Sequence, residues 1–207
     1  FGPHTVPDAM NKLTPARKAI PRIFKGPMMT TNVDLCLEEI YDHRLKVLCP
    51  HTAYHLPLAD HALFASTPTL FKLHGSVDDP AHMVFTKEDY DTFYSSSEHP
   101  APLSETLSSI FRSRPVLFLG CSLDTDRVVQ VLNACCKHRS YFALVELPKE
   151  TENKANPWEP LLVNADGTEN EAYRQRRQFM ADQLHIRCIW YPYRQYDALD
   201  WFLQALL

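Results

Sequence analysis

The stretch PVLFLGCSLDTDRVVQVLNACCKHRSYFALVEL (residues 115–147) follows a strand–helix–strand pattern. Its first part, PVLFLG (115–120), is an uninterrupted apolar run, which is typical of a strand buried on both faces of a parallel sheet. The segment 124–139 is amphipathic, and its acidic first turn and basic last turn suit the dipole of a helix. A second apolar run, YFALVEL (141–147), comes next. This order predicts an α/β fold built on parallel strands.

The alternation of strand and helix continues on both sides of this stretch. Four further strands are predicted, at 27–31 (PMMTT), 69–73 (TLFKL), 83–86 (MVFT) and 186–191 (IRCIWY). Apolar spacing and start signals predict helices within 33–45, 87–95, 103–113, 169–184 and 196–207. Thr86 and Asp89 resemble a capping box at the start of the second of these helices. We therefore expect one domain over residues 1–207, with an irregular or helical lead-in (1–26) and a mostly parallel sheet, helices on both faces, over 27–207.

The composition is that of an ordinary globular domain. The chain has 207 residues, of which 45% are hydrophobic and 22% are charged, and its formal net charge is −4. Such a weak, dispersed charge gives no sign of direct nucleic-acid binding. No apolar run approaches the roughly 20 residues that span a bilayer, so we expect no membrane association. The six cysteines form no CxxC pair, which favours reduced thiols in a cytoplasmic protein.

Three of the predicted strands end in small or polar residues. Asn32, His74 and Ser122 follow the strands at 27–31, 69–73 and 115–120, and the carboxyl ends of parallel strands form the ligand-binding edge of such sheets. An asparagine amide can bind ribose hydroxyls or water, and a histidine can take a proton at neutral pH. Gly75 and Gly120 would let the backbone turn sharply beside a ligand. The pattern predicts a sugar or nucleotide site.

Each of these residues also has an ordinary structural interpretation. His74 could be a histidine satisfied within a turn, and Asn32 and Ser122 could cap the helices that follow them. A cluster of Cys49, His51, His55 and His61 could suggest a metal. Two prolines in that segment disfavour the regular helix on which His51 and His55 would share a face, so we expect a surface loop and no metal.

Three motifs together resemble the sirtuin-like NAD-binding family of bacteria. They are PRIFKGPMMTTNVDLCLEE (21–39), FKLHGSVDDP (71–80) followed by MVFTKEDY (83–90), and RPVLFLGCSLDTDRVVQVL (114–132). The resemblance runs from about residue 20 to the end of the sequence, and it is closest to a divergent branch found in phage-defence proteins. It implies a Rossmann-like fold that binds NAD.

The resemblance also implies roles for individual residues. Asn32 and His74 match the catalytic pair of the family, and Asp34 matches an acidic residue near the nicotinamide end. Cofactor contacts are implied for a further group of residues on the pocket wall, at the glycine turn and on the adenosine side: Thr30, Thr31, Gly75, Gly120, Cys121 and Ser122.

Two departures from the family pattern affect the expected activity. The glycine-rich turn that cradles the pyrophosphate is absent, so we expect that the first strand–helix unit is missing from this sequence. The chain would then be a fragment, be completed by another segment, or have lost NAD binding. The two CxxC pairs of a sirtuin zinc ribbon are also absent, which favours NAD hydrolysis over protein deacylation.

The leading hypothesis is an NAD-hydrolysing domain that cleaves the nicotinamide–ribose bond of NAD, its substrate. A sensor domain or formation of a homo-oligomer would switch it on within a longer defence or stress-response protein. The alternatives are an NAD-dependent protein deacylase and a non-catalytic module that binds NAD or ADP-ribose or mediates assembly.

Overall fold

A computed structural model describes residues 14–49, 68–94, 102–124, 127–135 and 141–207. The chain divides into two compact units, which are described separately: the first runs to Thr106 and includes Asp200–Leu207, and the second is Leu107–Leu199. Each unit holds a three-stranded, fully parallel sheet and its own helices. The predicted α/β, Rossmann-like class is therefore confirmed.

The regular elements of the described residues are strands and helices that are interspersed along the chain. In order they are α1 (Pro15–Lys18), α2 (Ile20–Ile23), β1 (Met28–Thr30), α3 (Cys36–Ile40), β2 (Lys46–Leu48), β3 (Thr69–Lys72), α4 (Lys87–Tyr94), α5 (Pro102–Ser113), β4 (Leu117–Leu119), α6 (Arg127–Cys135), β5 (Tyr141–Glu146), α7 (Glu171–Gln178), β6 (Ile186–Tyr191) and α8 (Asp197–Ala205). Short 3₁₀ turns lie at Pro80–His82 and Lys149–Thr151, and α7 continues into a π-helical turn, Phe179–Gln183.

The sheet of the first unit has the order β1-β3-β2, so β3 is its central strand. All four residues of β3 are buried, as a strand paired on both edges and covered on both faces requires. Its neighbour β2 (KVL) was not predicted from the sequence.

The sheet of the second unit has the order β4-β5-β6. Its central strand β5 begins at Tyr141, which is 1% exposed and donates a hydrogen bond of 2.6 Å from its hydroxyl to the carbonyl of Phe111. The expectation that PVLFLG is buried on both faces is wrong for Leu117, which is 36% exposed. Leu117 lies on an edge strand and pairs in register with Phe142, itself 41% exposed, so one part of this sheet face is open.

The predicted strand at 83–86 is wrong. Residues 83–85 have no regular structure, and Val84 makes a single backbone bond to the carbonyl of His74 (3.1 Å). The reason lies in the next helix, because the Asp89 carboxylate accepts hydrogen bonds from the amides of Phe85 (3.0 Å) and Thr86 (2.8 Å). These two amides are therefore not available to a strand ladder.

The predicted capping box at the start of α4 is confirmed. The Asp89 amide donates to the Thr86 hydroxyl (3.2 Å), and the Thr86 amide donates back to the Asp89 carboxylate (2.8 Å). Such reciprocal bonds satisfy amides that a helix leaves unpaired at its start.

Replacing Thr86 with alanine is expected to lower the free energy of unfolding by about 1 kcal/mol, because the Asp89 amide loses its acceptor. Chemical denaturation followed by circular dichroism measures the change. Thr92→Ala is the matched control, since the Thr92 hydroxyl donates only to the carbonyl of Glu88 within the same helix (2.8 Å). A loss as large in the control as at Thr86 would contradict the capping role.

The described part of the lead-in segment is held to the C-terminal helix. Asp200, on α8, is 7% exposed, and its carboxylate accepts a hydrogen bond from the Thr14 hydroxyl (2.6 Å) and pairs with Arg17 (3.2 Å). Among the helices of the described residues, none combines the length and the apolar character needed to cross a membrane.

Candidate functional site

The carboxyl edge of the first sheet carries most of the predicted site residues. Strands β1 and β3 are parallel, and Thr30 lies opposite Lys72 in their register. The Leu73 amide donates to the Thr30 carbonyl (2.8 Å), which extends the pairing by one residue. Asn32 and His74 therefore both lie two positions beyond a matched pair, where the chains leave the sheet. Of the three residues predicted at one edge, Asn32 and His74 thus lie at the carboxyl edge of this sheet, whereas Ser122 follows β4 in the sheet of the second unit.

Asn32 is exposed in a turn that Thr30 shapes. Its backbone amide donates to the Thr30 hydroxyl (3.0 Å), and Thr31, between them, is also exposed. Within the described part of the chain, the side-chain amide of Asn32 has no hydrogen-bond partner. The alternative role as a helix cap is not observed, because the amide of Cys36 at the start of α3 is taken by Asp34 (3.0 Å).

Asp34 is exposed and faces the first turn of α3. Its carboxylate accepts the Cys36 amide, a local bond that suits the positive end of a short helix. Burial and, after it, the neighbouring carboxylate of Asp34 raise the pKa of the Cys36 thiol. This cysteine is therefore held as a neutral thiol at the edge of the site.

His74 is half-buried against two tyrosines of α4. Its Nε2 lies 3.0 Å from the hydroxyl of Tyr94, and its Nδ1 lies 3.4 Å from the hydroxyl of Tyr90. Both tyrosine rings meet the imidazole edge-on, with centroids 5.1 Å (Tyr90) and 6.0 Å (Tyr94) away. These tyrosines were not predicted from the sequence, although their i, i+4 spacing puts them on one face of a helix.

Gly75 follows His74 with a backbone conformation that glycine alone adopts easily. Its φ is +80°, and a Cβ there would lie 2.7 Å from the carbonyl oxygen of His82. The turn is closed by a bond from the Gly75 amide to the Lys72 carbonyl (3.3 Å). The glycine of the HG motif is thus explained by a sharp turn and by close packing of two backbone segments.

Beneath this edge lies a buried lysine that the sequence analysis missed. The Lys72 side chain is 0% exposed and its ammonium lies 2.8 Å from the Glu38 carboxylate. It also donates to the Asp34 carbonyl (2.5 Å), the Val33 carbonyl (3.2 Å) and the Ser76 hydroxyl (2.9 Å). One cation therefore joins the loop after β1, helix α3 and the loop after β3. In the sequence, Lys72 was hidden inside the apolar strand TLFKL.

In the second unit, the residues after β4 form a separate set. Gly120 has φ +67° and Cys121 and Ser122 are exposed. The Ser122 carbonyl accepts a hydrogen bond from Arg176, whose guanidinium also pairs with Asp124 (2.7 Å). Arg176 therefore holds the segment that follows β4 in place. The sequence alone did not distinguish this arginine from Arg174 and Arg177 of the same helix.

The other two arginines of α7 behave as surface residues. Arg174 pairs with Glu171 (2.6 Å) and Arg177 with Glu169 (3.0 Å), so their charges are balanced at the exposed surface. For the histidine cluster, His51, His55 and His61 lie outside the described residues. Within the described ranges, no group of three or more His, Cys, Asp or Glu residues is arranged to hold a metal ion.

Comparison with models of known protein families gives a match. A family model described as a SIR2-like domain matches residues 27–169, which include β1 to β5 and every predicted site residue. No curated protein matches the chain. The family match supports an NAD-related domain of the sirtuin family, in agreement with the resemblance seen in the three motifs.

Proposed function

Because the chain belongs to the SIR2-like domain family, we propose that it binds NAD and hydrolyses the bond between nicotinamide and ribose. The observation that carries this proposal is the register of β1 and β3. Thr30 lies opposite Lys72, so Asn32 and His74 each follow two residues later at the same carboxyl edge. Ligands of parallel α/β sheets bind at such edges.

The residues at this edge suit a ribose. The exposed Asn32 amide offers a donor and an acceptor, and the His74 imidazole can exchange a proton with a hydroxyl at neutral pH. The NAD molecule supplies a positively charged nicotinamide leaving group on a ribose that bears hydroxyls. This donor set matches the sugar hydroxyls.

Each residue has a distinct role in the proposed hydrolysis. Asn32 orients the ribose or the attacking water by hydrogen bonding. His74 acts as the general base that removes a proton from a hydroxyl. The exposed Asp34 carboxylate stabilises positive charge near the nicotinamide end. Thr30, Thr31 and Gly75 shape the wall around them.

The remaining assignments are extensions of the same proposal. Gly120, Cys121 and Ser122 would contact the adenosine side of the cofactor, as the family motif implies. A role in a cytoplasmic defence or stress-response protein extends the proposal, because the motifs resemble a divergent branch found in phage-defence proteins. A sensor domain or homo-oligomer formation would activate the domain there. Deacylation of proteins and non-catalytic binding of NAD or ADP-ribose are the competing functions.

The test measures nicotinamide release from NAD by the full-length protein, for the wild type and for Asn32→Ala and His74→Ala. We expect each variant to lose turnover by about 100-fold or more, the range typical of a general base. Asn133→Ala, at an exposed position of α6, is the control and should retain turnover.

Three other outcomes would contradict the proposal. Turnover that survives in both variants would remove Asn32 and His74 from the reaction. Nicotinamide release only in the presence of an acylated peptide would indicate a deacylase. Saturable NAD binding by calorimetry without any release would indicate a binding module.

A further inference from the structure

Helix α4 holds His74 through two tyrosine hydroxyls that are not equivalent. Tyr94 is 7% exposed and its hydroxyl is 3.0 Å from Nε2. Tyr90 is less buried, and its hydroxyl is 3.4 Å from Nδ1, at the long end of the hydrogen-bond range. The two tyrosine rings stack on each other, with their centroids 5.9 Å apart and an angle of 20° between their planes. The imidazole therefore has a firm contact on its buried side and a loose contact on the other.

The unequal contacts of the two ring nitrogens bear on which of them carries the proton in neutral His74. A neutral histidine carries one N–H donor and one acceptor nitrogen, and the partner of one nitrogen decides which carries the proton. A base must present its acceptor nitrogen to the substrate. Nε2 faces the hydroxyl of Tyr94, which is a buried residue, whereas Nδ1 faces the hydroxyl of the less buried Tyr90.

We propose that Tyr94 is a positioning residue, which accepts the Nε2–H of His74 and thereby leaves Nδ1 as the basic atom of the site. This inference rests on the proposed role of His74 as a base. In the absence of substrate, the Tyr90 hydroxyl donates its weak hydrogen bond to Nδ1. A substrate hydroxyl replaces this bond, its proton moves to Nδ1, and the resulting imidazolium keeps its Nε2–H bond to Tyr94.

The first measurement is the tautomer of His74, obtained from the ¹⁵N chemical shifts of its ring nitrogens in the full-length protein. His74→Gln identifies its signals among the ten histidines of the chain. We expect a proton on Nε2 in the wild type and a mixture of tautomers in Tyr94→Phe. A proton on Nδ1 in the wild type would overturn the proposal, and this result needs no Tyr94 variant that folds.

The second measurement separates kcat from KM for nicotinamide release. Tyr94→Phe is expected to lower kcat by about 10-fold or more with little change in KM, because the base is present but poorly oriented. Tyr90→Phe is expected to lower KM by a factor of about 2 to 10. The substrate then no longer has to displace the hydrogen bond from the Tyr90 hydroxyl to Nδ1 of His74. Tyr196→Phe, at a 52% exposed position, is the matched control.

The outcomes distinguish this proposal from the proposed function. An inactive wild type with the Nε2–H tautomer would remove the hydrolase and leave the role of Tyr94 in proton position standing. An active wild type in which Tyr94→Phe alters neither the tautomer nor kcat would remove the positioning role and leave the hydrolase standing.

Discussion

Replacing Lys72 with methionine is expected to lower the free energy of unfolding of the first unit by about 3–5 kcal/mol, the cost of breaking a buried ion pair from one side. The Glu38 carboxylate, 6% exposed, would lose its counter-charge. Its Oε2 is already buried without a hydrogen-bond partner among the described residues, so no other group stands ready to compensate. The Val33 and Asp34 carbonyls would lose their donor at the same time.

Two further variants decide whether the ion pair itself causes the loss. Lys46→Met changes an exposed lysine on the neighbouring strand β2 and should alter stability by less than about 0.5 kcal/mol. Lys72→Met combined with Glu38→Leu removes both charges and should recover much of the loss, because no unpaired carboxylate remains. Urea denaturation monitors all three. A double variant as unstable as Lys72→Met alone would show that the loss comes from the backbone carbonyls or from packing.

Gly75→Ala is expected to destabilise the first unit by about 3 kcal/mol, through strain and a steric clash acting together. A non-glycine residue at φ +80° costs of order 1–3 kcal/mol. The new Cβ would also lie 2.7 Å from the His82 carbonyl oxygen and 3.1 Å from the Met83 Cα, both of them backbone atoms that cannot rotate away. The turn that presents His74 would therefore have to open.

Other glycines of the chain separate the two causes. Gly167 has φ +84° and nothing within 4 Å of an added Cβ, so Gly167→Ala measures strain alone. Gly26 has neither a positive φ nor a close neighbour, and Gly26→Ala should be nearly neutral. Thermal unfolding should rank the losses Gly75 over Gly167 over Gly26. An equal loss at Gly75 and Gly167 would mean that the contact with His82 relaxes without cost.

The sequence predicted those parts of the fold that depend on local pattern. Apolar runs identified β4 and β5, and the capping box at Thr86 identified the start of α4. The strand expected at 83–86 failed because the same short segment also carried the capping signal, and the cap takes the amides that a strand would use. Where two local signals compete for the same amides, composition alone does not decide between them.

The parts of the site that were missed depend on long-range contacts. Asn32 and His74 could be placed at the same edge from the sequence, because parallel strands end at a common edge. Lys72 could not be recognised, because its partners Glu38 and Val33 are more than thirty residues away and a lysine is rarely fully buried. Tyr90 and Tyr94 were visible as a helical pair, but only the fold brings their hydroxyls to His74.

The contact between Thr14 and Asp200 has a consequence for the order of events during synthesis. The two residues are 186 positions apart, and both belong to the first unit, whereas the residues of the second unit lie between them in the chain. A ribosome adds roughly 5–20 residues per second, so Asp200 emerges roughly ten to forty seconds after Thr14. Throughout that interval Thr14 and Arg17 lack the carboxylate that holds them. The unit that begins first is therefore completed last, after the whole of the second unit has been translated.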